Sequence, residues 1–114
     1  MDAPGTDPRP GPDDLDSARA AQGPLVADVA RRLIDRGQAR LDAGEPLEAL
    51  ADFGRVTGHA DASLTAAAWL GSGDALFRLD AEDRAMRAWE AVVQLPETES
   101  TYRAWRQIAG ARVR

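Results

Sequence analysis

Displaced by 36 residues against itself, the chain matches size for size. Leu33 falls on Trp69, Gly37 on Gly73, Ala39 on Ala75 and Leu41 on Phe77. Further along, Ala49 falls on Ala85, Leu50 on Met86, Phe53 on Trp89 and Val56 on Val92. A second displacement carries Trp69 to Trp105 and Gly73 to Ala109. Bulk lands on bulk and small on small, as it does when one supersecondary unit is stacked on another. Such a unit cannot bury its apolar face alone, so its neighbours must supply the rest of the core.

Each unit reads as two helices. In the first helix, Leu25 to Ala43, the apolar residues Val26, Val29, Ala30, Leu33, Ile34 and Leu41 recur at helical spacing. Gly44 ends it, and Pro46 opens a second helix, PLEALADFGRVT, closed by Gly58. Asp61 is placed to cap a third helix running to Leu79. Asp80 is placed to cap a fourth, which Pro96 stops after Leu95. A fifth is predicted from about Thr98 to Val113. No stretch alternates with period two, so the predicted fold class is all-α, with five main helices in one domain. The first 24 residues hold five of the seven prolines and almost no bulky apolar side chains, which predicts a disordered tail. A short helix over Asp13 to Gln22 is the alternative there.

At Leu33, Gly37, Ala49 and Phe53, and again at Trp69, Gly73, Ala85 and Trp89, the chain resembles the tetratricopeptide repeat. That family places a bulky residue, a glycine four later, then an alanine, then an aromatic four after it. Gly44 also stands at the turn between helices, where the family often carries glycine. The resemblance implies antiparallel helix pairs wound into a right-handed superhelix: repeat 1 over about 27–60, repeat 2 over about 62–96 and a capping helix over about 98–113. Departures are local. Arg36 and Ser72 stand where the family has leucine, Arg40 and Leu76 where it has tyrosine, and Asp61 where it has proline. Pro96 comes one residue early, and the joint TGHADAS stretches the family's period of about 34 residues.

The stretch WLGSGDALF, Trp69 to Phe77, poses a choice between a phosphate cradle and a packing contact. A phosphate loop follows a strand and opens a helix. Here Gly71 and Gly73 follow TAAAWL, already helical, and the chain contains no lysine. Packing is the better reading: Gly37 and Gly73 let the two helices of a unit close, with Ala49 or Ala85 facing them. Gly71 matches Asp35 in the other unit and has no such requirement.

Catalytic chemistry finds no foothold. His59 is the single histidine, and Ser63, Ser72 and Ser100 have no base beside them in sequence. Asp80, Glu82 and Asp83 read as the first turn of a helix, where carboxylates suit the dipole. With no cysteine and one histidine, no catalytic residue, cofactor or metal is expected. A net charge of −5 argues against nucleic acid and anionic lipid as general partners. No apolar run is long enough to span a bilayer, no secretory signal is seen, and a cytoplasmic protein is expected.

The resemblance further implies a non-catalytic module whose first helices line a concave groove for a peptide or helix of another protein. Carried over, the groove comprises Arg31, Ile34, Gln38, Leu41, Ala67, Leu70, Asp74, Phe77, Arg103 and Arg106. A partner with apolar anchors and an acidic flank would suit it. At the places where one subgroup clamps a chaperone's terminal carboxylate, this chain has Ile34, Gln38, Gly71, Arg103 and Gln107. Only Arg103 fits, so that ligand is not expected. Self-association as a homodimer stays open, because about two and a half units bury little. Nucleic-acid contact through Arg103, Arg106, Arg112 and Arg114 is the weaker alternative. For Trp105 two arrangements stand: turned in towards Trp89 and Val92 as a cap, which is preferred, or left open with Tyr102 and Ile108 for a partner.

Overall fold

The computed structural model describes residues 26–112. The opening tail, with its alternative helix over Asp13 to Gln22, lies outside the described residues. Five helices follow one another: α1 (Ala27–Asp42), α2 (Pro46–Gly54), α3 (Ala62–Arg78), α4 (Glu82–Val93) and α5 (Glu99–Arg112). There is no strand among the described residues.

The helix ends show where the local reading was right and where it was not. Gly44, at φ 81°, closes α1 in the left-handed region. Its N–H bonds the Leu41 carbonyl at 3.0 Å, and the Glu45 N–H reaches Arg40 at 2.8 Å, a Schellman closure. Asp61 does cap α3, its carboxylate accepting from the Leu64 N–H at 3.0 Å. Asp80 does not cap α4. It sits at φ 64° and closes α3, with its own N–H on Phe77 at 3.1 Å and that of Ala81 on Leu76 at 2.9 Å. Gly44 and Asp80 are 36 residues apart, so both pairs turn by one device. The second helix also ends earlier than expected, at Gly54 and not at Thr57. A tight turn there, with the Val56 N–H on the Phe53 carbonyl at 2.9 Å, drives Val56 into the core, so Gly58 is not the stop.

Each helix packs on the next, and α1 also touches α3, as α3 touches α5, whereas α2 and α4 do not meet. The odd helices therefore form one row with the even helices to one side. Their C-terminal ends lie together. Arg78, last residue of α3, donates to the Leu41 carbonyl near the end of α1, and Gln107 of α5 donates to Asp74 of α3 at 2.7 Å.

Glycine notches hold the layers together. A Cβ on Gly37 would stand 2.8 Å from the Phe53 ring, and one on Gly73 would overlap the Trp89 ring. The expected notch is present, but the ring of the second helix fills it, with Ala49 and Ala85 buried alongside. Gly71, for which no contact was expected, is needed as well, since a Cβ there would overlap Phe53 from the other side. Phe53 is thus held between α1 and α3. Glycine within a helix costs about 1 kcal/mol relative to alanine. Burying a large ring contributes roughly 1.5–3 kcal/mol, so the exchange favours the notch. At three of the deepest positions the two pairs coincide: Ala30 and Ala66, Ala49 and Ala85, and Val56 and Val92 are all 0% exposed.

Arg36, standing where the resembled family has leucine, has its own use. Its guanidinium forks onto buried Asp52, Nε at 3.0 Å and Nη2 at 2.7 Å, and Arg40 adds Nη1 at 3.2 Å. This ties α1 to α2 with charge.

Candidate functional site

Between the odd helices lies a cleft of about 230 Å³, lined by Gln38 and Leu41 of α1, Asp74, Phe77 and Arg78 of α3, Trp89 of α4 and Gln107, Gly110 and Ala111 of α5. Positions 38, 74 and 110 are separated by one period each, so the repeat brings Gln, Asp and Gly to one level of three parallel helices. A Cβ at Gly110 would meet nothing within 4 Å, so that wall stays open.

Asp74 is the polar centre. Its Oδ1 accepts the indole N–H of Trp89 at 3.1 Å and the amide of Gln107 at 2.7 Å. A buried indole N–H needs an acceptor, which explains why a carboxylate is drawn this deep. No described residue donates to the other oxygen. Burial pushes the Asp74 carboxyl above its usual range; the bonds from Gln107 and Trp89 and the charges of Arg103 and Arg78 oppose that shift without cancelling it. Beside it, the Phe77 ring tilts onto Trp89 with centroids 5.5 Å apart. Gln38 donates to Asp42 at 3.2 Å at the rim.

Of the residues expected to line a groove, Gln38, Leu41, Asp74 and Phe77 meet in this cleft. Leu41, 1% exposed, is its floor and not an open contact. Leu70, 4% exposed, belongs to the second core cluster and is not on the wall. Ile34 and Ala67 are half-buried, Ile34 against the first core cluster. Arg31 is exposed and pairs with Asp28 at 3.2 Å. Arg103 and Arg106 border a separate hollow on α5 together with Gln107. Sequence reasoning named Gln107 only at a clamp position for a ligand it did not expect, and did not place Arg78, Trp89, Gly110 or Ala111 in the cleft. A further signal was the indole N–H of Trp89, which required a partner.

The cap arrangement of Trp105 is overturned. The ring is 52% exposed and Tyr102 is 70% exposed, while Ser100, Ala104 and Ile108 are buried. Ile108 therefore does not belong to an open stripe either. The buried face of α5 lies 36 residues after Leu64, Ala68 and Ser72, which are also buried, so α5 docks as α3 does.

Elsewhere, Nδ1 of His59 accepts the Asp61 N–H at 3.0 Å within the joint between the pairs. Among the described residues no group of three or more His, Cys, Asp or Glu could hold a metal ion. No described helix is long and apolar enough to cross a membrane. No protein-family model matches the chain, and neither a curated protein nor a solved structure does.

Proposed function

We propose that the chain is a non-catalytic protein-binding module of the tetratricopeptide type, and that the cleft between α1, α3 and α5 is the concave groove in which it grips a peptide or helix of another protein. The observation that carries this reading is Asp74: a carboxylate oriented by Trp89 and Gln107, with one oxygen left for an incoming donor. A backbone N–H is a natural donor for it. The amides of Gln38 and Gln107 can each donate and accept, as a peptide bond requires. Leu41 and Phe77 form an apolar floor beneath them.

Size favours a peptide over a metabolite. Small-molecule pockets run from roughly 300 to 1,000 Å³ and enclose their ligands. This cleft, at about 230 Å³, suits one aliphatic or aromatic side chain with the backbone on either side. Arg103 and Arg106, at the α5 end, suit an acidic flank.

The test is selection of binders from a random peptide library displayed against the full chain, followed by titration of the selected peptides into Asp74→Asn. That variant keeps an acceptor for Trp89 and Gln107 but places an amino group or a weaker acceptor before the ligand. A hydrogen bond to a charged group contributes about 1.5–3 kcal/mol, so affinity should fall at least about tenfold with the fold unchanged. Equal affinity for both proteins would remove the groove from the account.

A further inference from the structure

In the first two helix pairs, the face of the odd helix that bears Gly37 or Gly73 is covered by the aromatic ring of an even helix. One period on, the same face of α5 bears Tyr102, Trp105 and Ala109, the equivalents of Ala66, Trp69 and Gly73. No described helix covers it. The opposite end of the row is finished differently: Asp28, Arg32 and Asp35 of α1, equivalents of buried Leu64, Ala68 and Gly71, are exposed and charged. One end is thus closed by a polar surface, as a terminal repeat should be, while the other shows two rings to water.

The charge beside those rings is mainly basic. Past Glu99, which opens the helix, α5 carries Arg103 and Arg106 next to the rings, and Arg106 lies over the Tyr102 ring at 5.8 Å; Arg112, two turns further on, pairs with Glu90 at 3.7 Å. We propose that this face is the docking surface for the chain's own acidic segment, residues 2–16, with Leu15 against Tyr102 and Trp105, and Asp13, Asp14 and Asp16 opposite the arginines.

Three considerations select this occupant. Segment 2–16 holds Asp2, Asp7, Asp13, Asp14 and Asp16 against the single Arg9, the complement of α5. A second copy of α5 would instead set arginine against arginine. The segment can also reach. With the C-terminal ends of α1, α3 and α5 together, the N-terminal ends of α1 and α5 lie along the same edge of the row, two helices apart. Residues 17–26 can span about 33 Å when extended. Two helix steps of roughly 8–10 Å each need less than that. Finally, a tether of this length holds the segment at an effective concentration on the order of millimolar, so it outcompetes a free partner of equal intrinsic affinity.

The chain has no cysteine, so Ser17→Cys in the full chain gives one nitroxide label beside the acidic cluster. In isotope-labelled protein at low salt, the label should selectively broaden the amide signals of Tyr102 to Arg106 and the indole signal of Trp105. Intensity should return at about 0.5 M salt, where screening shortens to a few ångströms. It should return likewise in the Arg103→Glu/Arg106→Glu variant, whose altered residues are exposed and leave the helix intact. Broadening that is absent from α5, spread evenly over all helices or indifferent to charge reversal would overturn the proposal. So would equal broadening in a mixture of spin-labelled, isotope-free chains with isotope-labelled, spin-free ones, because the occupant would then come from a second copy.

Discussion

The two helix pairs share one backbone plan and are sealed by different chemistry. In the first, Arg36 forks onto Asp52 across α1 and α2. One period later the same positions are Ser72 and Ala88, both buried and uncharged. In the first, Phe53 fills a space between Gly37 and Gly71 and so joins α1 to α3. In the second, Trp89 fills the notch of Gly73 and directs its N–H to Asp74. A phenyl ring and an indole answer the same steric demand, but only the indole brings a donor that must be satisfied. That one difference draws a carboxylate into the cleft, and it explains why the polar centre of the candidate site belongs to the second pair, while the first supplies Gln38 and Leu41 to its lining.

If Phe53 is the shared rivet of two layers, Phe53→Ala should be the most damaging single change, at about 3–5 kcal/mol in urea unfolding. Trp89→Phe, which keeps a ring in its notch, should cost clearly less. The next largest effect is expected at the charged seal of the first pair: Asp52→Asn should cost roughly 1–3 kcal/mol, since two arginines lose an ionised acceptor. The neutral seal at Ser72 and Ala88 has no counterpart to lose. The two turns offer a smaller contrast of opposite sign. Gly44→Ala places a Cβ at positive φ and should destabilise by about 1–2 kcal/mol, whereas Asp80→Gly relieves a strained residue and should raise the melting temperature.

The smallest effect concerns pH. The folded state raises the Asp74 carboxyl above its reference value of 3.8. Between that value and the folded one, the native state keeps a proton that the unfolded chain has lost, so this group's contribution to stability falls as pH rises through the window. Asp74→Asn should abolish that fall while leaving the unfolding cooperative, as a series of melting curves from acid to neutral pH would show.

Much of the fold was legible because the period is written in side-chain volume, which a packed interior cannot ignore. Asp80 was misread because an aspartate before Ala-Glu-Asp resembles a cap, although its match to Gly44 carried the true cue. Gly71 was passed over because its match, Asp35, lies on the terminal helix, where no earlier pair exists to need the space. Trp105 was placed inside for a related reason. A first helix has one face towards the preceding pair and one towards its own partner, and repetition alone does not say which of them is covered at the end of a row. The cleft was half visible: Gln38, Asp74 and Phe77 follow the period, whereas Gln107 has Gly71 as its match and no polar precedent.

Rings seated in glycine notches join the helices of each pair, and a double-mutant cycle on Gly73 and Trp89 tests that directly. Chemical unfolding of the parent, Gly73→Ala, Trp89→Leu and the double variant should show Gly73→Ala costing about 1–3 kcal/mol beside the indole and close to nothing beside leucine. An equal cost in both backgrounds would mean that Gly73 and Trp89 do not meet, and the stacking scheme would be contradicted.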